Sequence, residues 1–497
     1  MALDFAALPD YDELHVISDL HLGGRPGFQI FGSTAELVWL IDELRQRQPP
    51  ARVALVINGD FIDFLAQAPA LPFDPEGAAA KLAAIAADPA FLPIFDALRR
   101  YTASDRCELL VNLGNHDLEL SLPWVQDALL TLLSGGERTA RGRITLAFDG
   151  SGIGARVGGA RVLCVHGNEV DAWNVADYER MRRIGRDLIQ GRVAEPWVPN
   201  GGSQLVCAVM NRIKQRYPFV DLLKPEGPAV FPTLVALDPT VVSELAGLAP
   251  AAARSGWDAV RMGSGLLAAT AAPASATAQP GSSGAGLRVL RRQREELARE
   301  LLDRTESRWR EGATALDLVG SDQRAEYIGI AGGLAKLFAG KGKAEALREA
   351  LDGLDADTSF DPAAEDDTYR ELDTRMGGEI DFLIAGHTHL ERALKRRRGR
   401  GYYFNCGTWA RLIRIVPALR QDPGQFSKLF ERLQAGSMAA LDGNAVEPGV
   451  TLRHCSVVSI WRDAGSTWGE LRHVVPSQAA PNPCAFHPVD KAKFPVG

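Results

Sequence analysis

Five short apolar runs rich in β-branched residues punctuate the chain: His15-Val16-Ile17, Val53-Ala54-Leu55-Val56-Ile57, Leu109-Leu110-Val111, Val162-Leu163-Cys164-Val165 and Phe382-Leu383-Ile384. Apolar runs of this length suit strands buried on both faces. Helical patterns at 34–46, 77–87, 91–101 and 123–133 fall among the first four, so strand and helix alternate as in a layered α/β domain. The expected fold is a layered β-sandwich flanked by helices, with a large and mostly helical insertion.

After His166 the alternation stops. Residues 178–373 read as the insertion, opening with a basic helical run at 178–191 and a second helix at 204–216, both candidates for a cap beside the site. An Ala/Ser/Pro/Gly-rich stretch near 268–286 has little to bury and reads as a flexible linker. Leu287, Leu290, Leu297 and Leu301 then recur at helical spacing, giving an amphipathic helix that faces the core or another subunit, the route by which an oligomer would form. Strand signals return around 402–404, 456–461 and 470–475. The expected organisation is a core in two parts, 1–177 and 374–476, around the insertion 178–373, with an extended tail at 477–497.

Composition narrows the class. A formal net charge of −7 gives no basic footprint over the whole chain, so nucleic acid is not the favoured partner. The first residues lack the basic start and apolar stretch of an export signal, and no apolar run reaches the roughly 18 residues of a spanning helix. Six cysteines are scattered without CxxC spacing, several in apolar runs where a small buried thiol is ordinary. A reducing cytoplasm is the expected location.

Polar residues follow each strand-like run in a way that turns composition into chemistry. They are Asp19-Leu20-His21, Gly59-Asp60 with Asp63, Gly114-Asn115-His116-Asp117, His166-Gly167 and Gly386-His387-Thr388-His389. Side chains just past strand ends land on loops at one rim of a sheet, where sites in α/β folds lie. Phosphate-ester hydrolysis calls for two cations roughly 3.5–4 Å apart to neutralise phosphate oxygens and activate water. Asp60 can bridge such ions because a carboxylate has two oxygens; His21, His166, His387 and His389 can each bind one, and Asn115 can add a neutral oxygen.

In order and spacing these fragments resemble the calcineurin-like metallophosphoesterase superfamily, whose motifs run DxH, GDxxD, GNH[D/E], a lone His and GHxH. The resemblance covers roughly 12–175 and 378–475. It implies a first metal on Asp19, His21, Asp60 and His389, and a second on Asp60, Asn115, His166 and His387. It also implies in-line attack by a metal-bridging hydroxide, with His116 stabilising the transition state or protonating the leaving oxygen and Asp117 orienting His116. Asp63 is expected to support its loop. Manganese is the first expectation for the metal, with iron or zinc as alternatives. The His166–Asp171 and Gly386–His389 segments also resemble the branch containing UDP-2,3-diacylglucosamine pyrophosphatase. That branch generally carries Arg where His116 stands and lacks so large an insertion, so its substrate does not transfer. Asn405-Cys406-Gly407-Thr408 resembles the turn that commonly follows GHxH in the superfamily.

The expected activity is hydrolysis of a phosphodiester, phosphomonoester or pyrophosphate in a phosphorylated small molecule or nucleotide. A nuclease or cyclic-nucleotide phosphodiesterase with the same metals is one alternative, and a non-catalytic binding protein on the same fold another. His15, His454, His473 and His487 read as ordinary surface or core residues. The run Lys395-Arg396-Arg397-Arg398 reads as a solvated hairpin turn before a polyanion site, the arginines at 180–192 suit a phosphate-facing cap, and Asp171, Trp173 and Asn174 carry no assigned role. Gly333–Lys341 resembles a P-loop, but its spacing is wrong and it is rejected.

Overall fold

A computed structural model of the chain describes residues 7–47, 51–171, 174–238, 342–351, 358–442, 449–477 and 483–496. The expected linker at 268–286, the amphipathic run of Leu287 to Leu301 and the P-loop look-alike lie outside them. The chain divides into two compact units, one of Met1–Gln215, Asp357–Arg414 and Thr451–Gly497, the other of Arg216–Ala356 and Ile415–Val450. These limits differ from the expected ones. The first part of the supposed insertion, up to Gln215, packs with the sheets, and Ile415–Val450 belongs with the second unit.

The strands of the first unit begin with β1 (Asp10–Tyr11), β2 (Glu13–Ile17), β3 (Val53–Asn58), β4 (Cys107–Asn112), β5 (Ile144–Ala147), β6 (Ile153–Val157) and β7 (Ala160–Cys164). After β8 (Leu223–Lys224), which belongs to the second unit, come β9 (Phe382–Ala385), β10 (Glu391–Lys395), β11 (Tyr402–Cys406), β12 (Leu412–Arg414) and β13 (Thr451–Leu452). The chain closes with β14 (Ser456–Asp463), β15 (Ser466–Pro476) and β16 (Cys484–Val496). One sheet runs β16-β15-β14-β2-β3-β4-β5 and the other β1-β6-β7-β9-β11-β10. Strands β2 to β5 are parallel, as are β7, β9 and β11, so each sheet sends a set of C-terminal strand ends the same way.

Side-chain alternation decides what each face covers. Along β3, Ala54 and Val56 join Leu14, Val16, Leu110, Val458 and Ile460 against Val162, Phe382, Ile384 and Phe404 of the other sheet, making the core of a sandwich. Val53, Leu55 and Ile57 point the other way, onto Leu40, Leu44, Leu82, Ile94, Phe95 and Leu129 of the helices Thr34–Arg45, Ala78–Ala87, Leu92–Ala103 and Pro123–Ser134. The helix Asp367–Arg375 covers the outer face of the second sheet through Tyr369 and Leu372. Burial on both faces explains the uninterrupted apolar runs. The helix-flanked β-sandwich is the fold that the sequence pattern implies.

In the second unit the described residues form the helices Glu226–Leu237, Lys343–Ala350, Pro417–Gln421, Pro423–Gln434 and Met438–Asp442 and the short strand β8. Among the described residues no single helix is long and apolar enough to cross a membrane; the bent pair Ala78–Ala87 and Leu92–Ala103 passes on length and composition but supplies Ile85, Ile94 and Phe95 to the core. All six cysteines are free thiols, five of them buried. The tail is extended and also paired: β16 lies along β15 at the sheet edge, and its Pro488 and Pro495 are tolerated because an edge strand has one side without ladder bonds.

Two expectations about charge change. Lys395–Arg398 does lie at the β10–β11 hairpin, but Arg396 is buried, donating to Asp373 and to the carbonyls of Met376, Gly377 and Ile380. Arg397 pairs with Glu365. On the helix Tyr178–Ile189 and beyond it, Arg180 and Arg183 meet Glu195, Arg182 meets Glu179, and Arg186 and Arg192 meet Asp187. Both basic runs are therefore neutralised largely within the chain.

Candidate metal centre

The residues after β2, β3 and β4 in one sheet, and after β7 and β9 in the other, converge at a single rim of the sandwich. Backbone bonds lock the loops together: Asp19 N donates to Gly59 O, His21 N to Asp60 O, Asp63 N to Leu22 O, and Gly386 N to His166 O. Asn58 ties the two sheets by donating from Nδ2 to Val165 O. The Asn405–Thr408 turn supports the rim: Asn405 donates to Gly386 O and Thr408 to Asp19 O.

Asp19, His21, Asp60 and His389 form one cluster. His21 Nε2 and His389 Nε2 are 3.0 Å apart, His389 Nε2 lies 3.3 Å from Asp19 Oδ1, and His21 Nε2 lies 3.7 Å from Asp60 Oδ2. On the far side of Asp60, His166 Nε2 stands 3.3 Å from the same Oδ2. Asp60 Oδ1 is engaged by the backbone N–H of His116 at 2.8 Å. Asp60 Oδ2 is thus the oxygen that faces the ring nitrogens of both His21 and His166.

The remaining expected ligands sit beside His166. Its ring centroid is 5.4 Å from that of His387, and its Nδ1 is 2.8 Å from Asn58 O. A proton on Nδ1 fixes the tautomer and turns the Nε2 lone pair into the site. Asn115 holds its amide in place through a 3.4 Å bond from Nδ2 to Asn174 Oδ1. His387 Nε2 is 2.9 Å from Asp171 Oδ2, and its backbone N–H donates to Asp19 Oδ2.

These residues fit a pair of cations. Asp19 Oδ1, Asn115 Oδ1 and His166 Nε2 are buried with no hydrogen bond, and an orphaned buried polar atom needs an explanation such as a bound ion. Burial opposes ionisation of Asp19, Asp60 and Asp63, yet the surrounding imidazoles outweigh it and hold all three carboxyls below the usual range, Asp19 at about 2. Three carboxylates thus stay charged inside a buried pocket, where cations compensate them best.

The local backbone is adapted to this. Asp19, His21, Asp60, His387 and His389 all have left-handed φ, between 48° and 70°, a region uncommon for residues with a side chain and associated with functional sites. Glycine precedes three ligands for steric reasons. A Cβ on Gly59 would strike the His166 ring, one on Gly114 would strike Asp60, and one on Gly386 would strike Ser18 and Asp19.

One assignment is corrected. Asp117 does not touch His116: it is buried and accepts from Gly114 N at 2.7 Å and Phe61 N at 2.8 Å, so it closes the loop from beneath. The partner of His116 is Asp63, with Nδ1 and Oδ1 3.2 Å apart. Burial works against the charged imidazole, but the carboxylates of Asp63 and Asp60 outweigh it and raise the His116 pKa to about 9. Sequence reasoning also left Asp171, Asn174 and Asn58 without roles. The spacing His166-Gly-Asn-Glu-Val-Asp171 was the available signal, since the short helical turn Asn168–Val170 carries Asp171 back over the site.

The pocket opens on one side. His21, Asp19, Asp60 and His166 are buried, whereas the side chains of His116 and His389 are 18% and 17% exposed, so a ligand would meet these first. Lys214, on the helix Asn211–Arg216, is near enough for its charge to act on His116. Residues 14–221 match the model of the calcineurin-like phosphoesterase family, a stretch that runs from within β2 past β7 and holds the expected ligands up to His166. No curated protein is similar enough to the chain to match it.

Proposed function

We propose that this calcineurin-like phosphoesterase region, completed by Gly386–His389, hydrolyses a phosphodiester, phosphomonoester or pyrophosphate bond with two divalent cations. The observation that supports the reading is that Asp19, His21, Asp60, His166 and His389 bring candidate ligand atoms together at one rim, with Asp19 Oδ1, Asn115 Oδ1 and His166 Nε2 buried and lacking a hydrogen bond. Asp19, His21, Asp60 and His389 would hold one ion; Asp60, Asn115, His166 and His387 would hold the other. Such ions neutralise phosphate oxygens and lower the pKa of water. Mixed nitrogen and oxygen donors suit manganese first, then iron or zinc.

The chain's own residues do the rest. With Nδ1 facing Asp63, the proton of His116 is available on Nε2 at the open side, where it can be given to the departing oxygen. Lys214 adds positive charge for the substrate's phosphate. The internal pairing of both arginine runs supports a phosphorylated small molecule or nucleotide over a long nucleic acid. A binding protein that had lost turnover would have lost ligand residues, and none of the five motifs lacks one in this sequence.

The test is hydrolysis of an aryl phosphodiester with Mn²⁺ by the wild type, Asp60→Asn and His116→Ala, followed by a nucleotide, metabolite and single- and double-stranded nucleic-acid panel. Turnover lost in both variants is expected. Equal rates in all three proteins would overturn the reading, and processive digestion of polymers would move it to the nuclease alternative.

A further inference from the structure

Glu391, His454 and His473 belong to no part of the site above. Glu391 opens β10 in the six-stranded sheet, His473 lies on β15 of the seven-stranded sheet, and His454 lies just ahead of β14. Their side chains meet where the sheets face each other. His473 Nε2 is 2.7 Å and His454 Nδ1 3.3 Å from one oxygen, Glu391 Oε1, and the three candidate ligand atoms all lie within 4.8 Å of one another.

We propose that these three side chains bind a third divalent cation, of the zinc class, that clips one sheet of the sandwich to the other. Two imidazoles and a carboxylate with one open position are a common zinc donor set, and bonds of about 2.0–2.1 Å in a tetrahedron place neighbouring donor atoms roughly 3.3 Å apart. The His454–Glu391 separation already has that value, and the His473–Glu391 one reaches it by widening about 0.6 Å. The hydrogen bonding points the same way. Ser456 Oγ donates to Glu391 Oε1 at 2.5 Å, so a hydroxyl and two ring nitrogens converge on an oxygen with two lone pairs. Moving a ring nitrogen from that oxygen to a cation relieves the excess.

Access is suitable. The side chains of His454 and His473 are 27% and 22% exposed, so an ion can enter from solvent, while that of Glu391 is 7% exposed and anchors the site from within. The two rings stack at 4.8 Å with 25° between their planes, so both edges face the carboxylate together.

The experiment strips the full chain with a chelator, reloads it with Zn²⁺, removes excess ion and counts zinc per chain by elemental analysis. His454→Gln and His473→Gln should each hold one zinc fewer than wild type, and zinc should raise Tm less in both. His454→Cys, which replaces a nitrogen donor with a sulfur donor, should restore the ion. The difference of one should persist in an Asp60→Asn background, which separates this site from the proposed catalytic one. Equal zinc content in the wild type and both Gln variants, each folded by far-UV circular dichroism, would overturn the proposal.

Discussion

His116 and Asp63 face each other at 3.2 Å from loops that follow different strands, β4 and β3. Burial favours the neutral ring, but the carboxylate charge dominates and the His116 pKa rises to about 9. The acid form then persists through neutral pH. Asp63→Asn should move the alkaline limb of the kcat profile to lower pH and reduce kcat by about 10–100-fold. Asp117→Ala should leave that limb in place and instead expose two unpaired N–H groups, each worth about 1–3 kcal/mol of stability. A profile shifted by the Asp117 variant and not by the Asp63 variant would return the orienting role to Asp117.

Metal content and turnover should separate. Asp60→Asn weakens the one inward carboxylate oxygen that faces both ligand groups, and the preparation should lose both ions. His116→Ala should retain them while turnover falls by about 10²–10⁴, the usual contribution of a positioned acid. Elemental analysis of the two proteins decides this, and equal loss in both would contradict the division of roles.

Asp171 lies 2.9 Å from His387 Nε2 and holds the imidazole in its orientation. Asp171→Asn should weaken binding of the second ion by about 10–100-fold, with little change at the first. A Mn²⁺ titration followed by isothermal calorimetry should show one step displaced and the other retained.

Gly59 has φ +89°, and a Cβ there would collide with the His166 ring. Gly59→Ala combines an unfavourable backbone, about 1–3 kcal/mol, with displacement of a ligand. Both Tm and metal content should fall. Normal metal content with a lower Tm would mean that the ring has room to move.

Glu119 gives a pH signature through a group that takes no part in the expected ligand set. It is buried with Asp74 N–H on its Oε1, and desolvation raises its pKa from 4.5 to about 8. Below pH 4.5 the group is protonated both folded and unfolded and has no effect on stability. Between 4.5 and 8 the unfolded chain releases the proton while the native chain retains it, so stability declines as pH rises. Glu119→Gln should therefore gain stability relative to wild type on going from pH 4.5 to pH 8, by on the order of a few kcal/mol. Denaturant melts at the two values measure it, and an unchanged difference would mean that Glu119 ionises freely in the native protein.

The strands and the ligands at their ends were legible because burial on both faces leaves long apolar runs, and because a rim site needs polar residues just beyond them. Distances between loops were not legible. Asp117 follows His116 in the chain, yet its side chain turns inward to cap Gly114 and Phe61, and Asp63 arrives from the β3 loop instead. His454 and His473 looked ordinary because nothing local links them to Glu391; only the pairing of β14 with β15 and the stacking of the sheets brings the three together. The basic hairpin misled for the opposite reason: Asp373, which neutralises Arg396, lies on a preceding helix with no sequence mark of the contact.

The hydrogen bond from His387 N to Asp19 Oδ2 joins residues 368 positions apart, and β9, which delivers His387, sits between β7 and β11. During synthesis, then, Asp19, His21 and Asp60 leave the ribosome long before His387 and His389. The loops after β2 and β3 acquire their partners at this rim only once the chain has been made past His389. A chain terminated just ahead of β9 would therefore lack His387 and His389 with its first eight strands already synthesised.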